Sequence, residues 1–226
     1  MAKIKLGAIV VDMRGKSNGH VFSRNRGGAY MRTKITPSNP QSTFQMSVRG
    51  IFAAISSAWS ALTATNRQSF ENLVSSYART DIFGDLRNPT GKNLFQRLNQ
   101  NLELTGQAQL TTCPEPSEVP FANVTSSSAN FSTPLFEIVL GGVTTGSKLM
   151  FFATPPLSQG TKFVKNKLRL IDVQNGGNAG SFDITAVYVS RLGALSAGQN
   201  IHVGVRVVNA NGQASPLETV KATIVS

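Results

Sequence analysis

Between residues 40 and 62, apolar side chains recur at steps of three and four: Phe44, Val48, Ile51, Phe52, Ile55, Trp59 and Leu62. That spacing predicts an amphipathic helix of about six turns. Pro40 suits its first position, with Asn39 as the cap, and Gln45, Arg49, Ser56 and Ser60 form the polar face. Thr63, Ala64 and Thr65 interrupt the pattern. Thr65 with Gln68 reads as a capping box, opening a second helix whose apolar face is Phe70, Leu73, Val74 and Tyr77. Thr90 caps a third, with Leu94, Phe95, Leu98 and Leu102 on one side and Gly106 just past its end.

Before residue 40 the pattern predicts β-structure. Lys3 to Asp12 is an apolar-rich strand candidate, and the segment Gly15 to Gly19 is a turn around Asn18-Gly19. His20 to Arg24 forms a second strand, Arg26 to Gly28 a second turn, and Ala29 to Ile35 a third strand. The run Thr36 to Pro40 then stops the sheet, because proline removes a donor and restricts the residue before it.

Residues 107–119 are polar and carry Pro114 and Pro116, which marks a linker between residues 1–106 and residues 120–226. Beyond it the helical period disappears. Seven β-rich runs follow, near Phe121–Ser126, Leu135–Leu140, Lys148–Thr154, Phe163–Val173, Phe182–Ser190, Asn200–Val208 and Glu218–Val225. Their spacing suggests a sandwich. Ile201, Val203, Val205 and Val207 alternate most clearly, placing His202 on the outer face, and Asn209 to Gly212 is a hairpin turn signal.

Charge changes this picture. The net charge is +11, and residues 1–40 hold Lys3, Lys5, Arg14, Lys16, Arg24, Arg26, Arg32 and Lys34 against Asp12 alone. Residues 41–118 balance. The cations of the first segment are threaded through apolar residues, which a solvated tail does not need. The segment therefore reads as a basic ribbon for an anionic partner, protein or DNA, with Arg14, Lys16, Arg24, Arg26, Arg32 and Lys34 as contact residues. The bland reading is a solvated face that discourages edge pairing.

The residues argue against several chemistries. Gly15-Lys16-Ser17 has Val10 where a phosphate loop needs its first glycine, and it leads into a strand. His20 and His202 lie far apart with no ligand spacing, so neither a metal nor another cofactor is expected. Asp81 and Asp85 share a loop that offers at most a weak cation site. No Gly-x-Ser-x-Gly elbow is present, and Cys113 stands alone, which leaves no intrachain disulfide and no expected catalytic residue. The short apolar run from Leu6 to Val11 is a poor signal peptide, and no stretch is long enough for a membrane helix. Folding in a reducing cytoplasm is the expectation, with no membrane partner and no small-molecule substrate.

Two stretches carry a family resemblance. Residues from Gly15 to Arg32, the proline-bounded turn and the helix with Gln45, Arg49 and Trp59 resemble virion proteins of tailed bacteriophages. Asn209 to Pro216 resembles the last hairpin of fibronectin type III and related immunoglobulin-like domains, although Trp59, the sole tryptophan, lies outside the sandwich. The resemblance implies an α+β chain: a β-hairpin segment, three amphipathic helices and a C-terminal all-β immunoglobulin-like sandwich. It implies a structural virion component of capsid, head-to-tail connector or tail. Such a component is made in the host cytoplasm, binds other virion proteins and copies of itself, and has packaged DNA as a further partner. Two alternatives stand beside it: a DNA-binding protein acting outside any particle, and a surface-adhesion module. Tyr188 as the main outward aromatic of the sandwich weighs against the latter.

Overall fold

The computed structural model describes residues 2–36, 38–132, 135–143, 145–177 and 179–225. It is a mixed α+β architecture with four helices and a large seven-stranded sheet in the C-terminal part.

The N-terminal sheet comprises β1 (Ala2–Lys3), β2 (Gly15–Ser17), β3 (His20–Asn25) and β4 (Gly28–Thr33), in the order β1-β4-β3-β2. Ser17 pairs with His20 across the predicted Asn-Gly turn, where Asn18 takes φ 47°. The expected strand from Lys3 to Asp12 shrinks to two residues. Gly7 and Val10 close a turn through Val10 N–H donating to Gly7 O at 3.1 Å, and Lys3 and Lys5 are drawn to Asp81 and Asp85. The third strand ends at Thr33 rather than Ile35. Pro37, part of the expected stop, lies outside the described residues.

Three helices follow: α1 (Thr43–Ala61), α2 (Ala64–Asn72) and α3 (Gly91–Leu104), with a small hairpin of β5 (Arg79–Thr80) and β6 (Leu86–Arg87) between the last two. The first helix begins later than Asn39-Pro40 suggests. Gln41 sits at φ 47°, which breaks any earlier turn, and Ser42 Oγ accepts from Gln45 N–H at 3.4 Å. The second cap is Thr63, not Thr65, with its hydroxyl accepting from Asn66 N–H at 3.2 Å. Thr90 caps α3 as expected, accepting from Asn93 N–H at 3.1 Å. Arg67 donates to the last carbonyls of α1, at 2.6 Å to Ser60 O and 3.2 Å to Trp59 O. The helices pack on one another rather than on the basic hairpin. Ile55, Phe70, Tyr77, Leu94, Phe95 and Leu98 form their core, and Trp59, Phe70 and Phe95 meet ring to ring at 5.2–5.9 Å.

The C-terminal strands are β7 (Val124–Asn130), β8 (Leu135–Leu140), β9 (Lys148–Ala153), β10 (Arg169–Asn175), β11 (Gly180–Asp183), β12 (Asn200–Val208) and β13 (Glu218–Val225). They run β10-β9-β12-β13-β7-β8-β11 in one curled sheet. All neighbours are antiparallel except β13 and β7, which pair in parallel through Ile224 and Val225. The curl brings Phe136 and Ile138 of one half against Leu149, Phe151 and Val203 of the other in a single core. The run Phe163–Val173 loses its first six residues, with β10 starting at Arg169, while β7 and β9 shift by a few residues and three strands keep the predicted bounds. The run Phe182–Ser190 does not: β11 ends at Asp183 and α4 (Thr185–Leu192) takes over. Asp183 Oδ1 accepts from Thr185 N–H at 2.8 Å, which opens the helix, and Ile184 and Tyr188, one turn apart, are both fully buried.

Candidate functional site

Alternation along a strand sends successive side chains to opposite faces, and the pairing register decides which cations meet. Lys16 pairs with Val21 and Val21 with Arg32, so these three share one face of the N-terminal sheet. Two strand spacings put Lys16 and Arg32 about 10 Å apart on either side of Val21. Arg24 lies on the other face with Phe22 and Met31. Arg26 sits in the β3–β4 turn and Lys34 follows β4. Arg14 is neutralised locally by Asp12 at 2.9 Å. The six predicted contact residues therefore do not form one stripe. All six side chains are exposed, and only Lys16 and Arg32 share a face in register.

The rest of the N-terminal charge is internally compensated. Lys3 Nζ lies 3.2 Å from Asp81, Lys5 Nζ 3.3 Å from Asp85, and Arg87 reaches both acids at 3.4 and 3.5 Å. Burial opposes ionisation of Asp81, but the N–H groups of Phe83 and Asp85 together with Lys3 and Arg87 outweigh it and hold its carboxyl down to about 2. The loop expected to offer a weak cation site is thus already filled by the chain's own cations. They clamp the N-terminal sheet to the β5–β6 hairpin.

Few side chains of the first ninety residues pack into a core. The N-terminal sheet has no buried side chain among its described residues. Ile9 is 98% exposed, Val11 87%, Ile82 76% and Phe52 52%. Phe44, Met46, Ile35 and Leu86 are exposed as well. The N-terminal part of α1 carries the predicted apolar stripe, but only the helix from Ile51 on reaches the helical core, with Ile55 its fully buried residue.

One concave feature was not visible in the sequence. A 540 Å³ groove lies where the segment Ser76–Arg79, helix α3, Pro116–Ser117 and the β12–β13 turn converge. Arg79, Arg97 and Arg206 line it. The first two belong to the charge-balanced middle of the chain, where no composition signal singles them out.

Among the described residues no group of three or more His, Cys, Asp and Glu gathers as metal ligands, and no helix is long and apolar enough to cross a membrane. His20 is exposed on β3. His202 lies half-buried opposite Lys221, and burial, then that lysine, lowers its proton affinity. Burial, then Glu115, pushes the Cys113 thiol up to about 11, against the opposing pull of Arg97. Tyr188, expected to point outward, is fully buried, with its hydroxyl donating to Thr154 O at 2.9 Å. Residues 107–119 are hydrogen-bonded on both sides: Leu110 N–H donates to Asn99 Oδ1 at 2.6 Å and Ser117 N–H to Gln213 Oε1 at 2.9 Å.

No family model matches the chain. No curated protein matches it either. Among solved structures it is similar to the fibronectin(III)-like modules of Clostridium thermocellum CbhA, at 12% identity and TM-score 0.29, over 47% of this chain and 100% of that one. It is also similar to Akkermansia muciniphila OgpA, a catalytically inactive form in complex with an O-glycopeptide. There the identity is 12% and the TM-score 0.29, over 62% of this chain and 37% of that one. Likeness at this level carries nothing about activity or partners.

Proposed function

We propose that this chain is a structural component of a tailed-bacteriophage virion, assembling through its N-terminal sheet and the exposed half of α1. The phage assignment comes from the sequence resemblance of the basic hairpin and first helix. The assembly role is supported by one observation above all: exposed large apolar side chains concentrate in the first ninety residues. Ile9, Val11, Ile35, Phe44, Phe52, Ile82 and Leu86 all precede residue 90. Exposed apolar side chains of that kind suit contact with neighbouring subunits more than solvent. A second copy of this chain is the first partner, other virion proteins the next, and packaged DNA an additional one through the free cations. The curled sheet, read as an immunoglobulin-like sandwich, serves as the presented or spacing module.

Sedimentation velocity on the full chain tests assembly. Phe44→Ser with Phe52→Ser alters exposed positions only, and it should shift an oligomer to monomer without changing the circular dichroism spectrum. Mass spectrometry of purified particles tests the location. A stable monomer that is absent from particles refutes the proposal. The DNA-binding alternative predicts affinity that falls steeply with salt and weakens when Lys16 and Arg32 are neutralised.

A further inference from the structure

The groove gathers Arg79, Arg97 and Arg206 with no Asp or Glu in its lining. Among the described residues, none of the three arginines makes an ion pair, whereas Lys3, Lys5, Arg14 and Arg87 all do. Two of the guanidinium groups lie over aromatic rings. Arg97 lies over the Tyr77 ring at 5.3 Å to the centroid, and Arg206 over Phe152 at 6.0 Å. Attraction to a ring face uses none of the guanidinium's N–H donors as hydrogen bonds to an acceptor oxygen. Arg206 Nε is buried without a hydrogen-bond acceptor, a costly state for a charged donor. Burial lowers the proton affinity of both Arg97 and Arg206, and the nearby Arg79 lowers it further. The folded chain therefore concentrates like charge at one place without offsetting it.

We propose that this groove is a binding site for a phosphate-bearing ligand. A single carboxylate brings one negative charge and leaves most of the groove's charge uncompensated. A phosphate ester brings close to two, with three strong acceptor oxygens, and guanidinium forks match phosphate geometry bidentately. The hydroxyls of Ser76 and Ser117 line the same space as further polar groups. At 540 Å³ the groove falls within the range of small-molecule sites, about 300–1,000 Å³. The site is independent of the assembly reading, because no lining residue belongs to the N-terminal sheet or to α1.

The test is calorimetric titration of the full chain at low salt with pyrophosphate, citrate and a short single-stranded oligonucleotide. Pyrophosphate should bind with one-to-one stoichiometry and raise the unfolding temperature by mass action. Arg97→Gln and Arg206→Gln should each weaken it about tenfold, the equivalent of one charge-assisted hydrogen bond. Arg79→Gln keeps the test decisive if the other two variants unfold, since Arg79 is exposed. Lys162→Gln, an exposed position outside the groove, should leave binding unchanged. An oligonucleotide bound much more tightly than pyrophosphate, with the same arginine dependence, identifies nucleic acid as the phosphate source. Equal or weaker binding identifies a small phosphorylated molecule. The absence of saturable pyrophosphate binding, tighter binding of citrate, or indifference to all three arginine substitutions overturns the proposal.

Discussion

Gln213 is the joint between the helical and sheet-rich parts of the chain, and replacing it with alanine should loosen that joint measurably. Its Oε1 accepts from Ser117 N–H at 2.9 Å, from Asn209 Nδ2 at 3.2 Å and, at short range, from the Ser117 hydroxyl. Its Nε2 donates to Tyr77 Oη at 2.7 Å and to Glu115 O at 2.7 Å. Gln213→Ala removes all of these. Ser117 is exposed and finds water, and Tyr77 keeps its donation to Pro114 O at 2.8 Å. The uncompensated loss is then two or so buried hydrogen bonds, or about 2–4 kcal/mol with the desolvation of orphaned groups included. That is a large share of a typical stability of about 5–15 kcal/mol. Urea unfolding should be followed in two ways: by fluorescence of Trp59, which sits in the helical core, and by circular dichroism of the sheet. We expect both midpoints to fall, and to separate if the joint carries the coupling. In a double-mutant cycle with Tyr77→Phe, the coupling should exceed about 0.5 kcal/mol. A change below about 0.5 kcal/mol for Gln213→Ala, or strict additivity with Tyr77→Phe, refutes this reasoning.

Other outcomes follow from single contacts. Gly212 takes φ +70°, and an added Cβ would lie 2.4 Å from Leu98 O. Gly212→Ala should therefore cost about 2–4 kcal/mol in denaturant unfolding, and parent-like stability would mean that α3 does not press on this turn. Tyr188→Phe removes a buried donor to Thr154 O and should cost about 1–2 kcal/mol, with the far-ultraviolet spectrum unchanged. Asp81 ionises in the folded chain at about 2 rather than the usual 3.8. A lowered carboxyl stabilises above its unfolded value, so the N-terminal clamp should hold above pH 3.8 and loosen as pH falls toward 2. Amide exchange in β1 and β4 reads this directly, and Asp81→Asn should abolish the acid step.

Local chemistry was legible in the residues. The Asn18-Gly19 and Asn209-to-Gly212 turns, the Thr90 cap, the helical stripe through Ile55 and the strands Leu135–Leu140 and Asn200–Val208 all stand where their patterns put them. Each depends on neighbours within a few positions, through left-handed backbone at a turn, a hydroxyl aimed at a nearby N–H, or side-chain period. Errors arose where tertiary contact overrode local preference. The apolar run through Ile9 to Val11 lost its strand to lysine pairs with Asp81 and Asp85, and Phe182 to Ser190 became a strand and a helix where Asp183 turns the chain by accepting from Thr185 N–H.

By itself, then, the sequence determined the turns, the Thr90 cap, the alternation of the core strands and the excess of cations in the first forty residues. Only the tertiary structure decided which charges stand free. Register splits the basic ribbon between two faces, and Asp81 and Asp85 absorb part of it. Packing of α3 against the β12–β13 turn then brings Arg79, Arg97 and Arg206 to one groove from three separate stretches of chain. Sequence spacing governs what meets along a helix or strand, whereas convergence between elements is set by how their apolar faces pack.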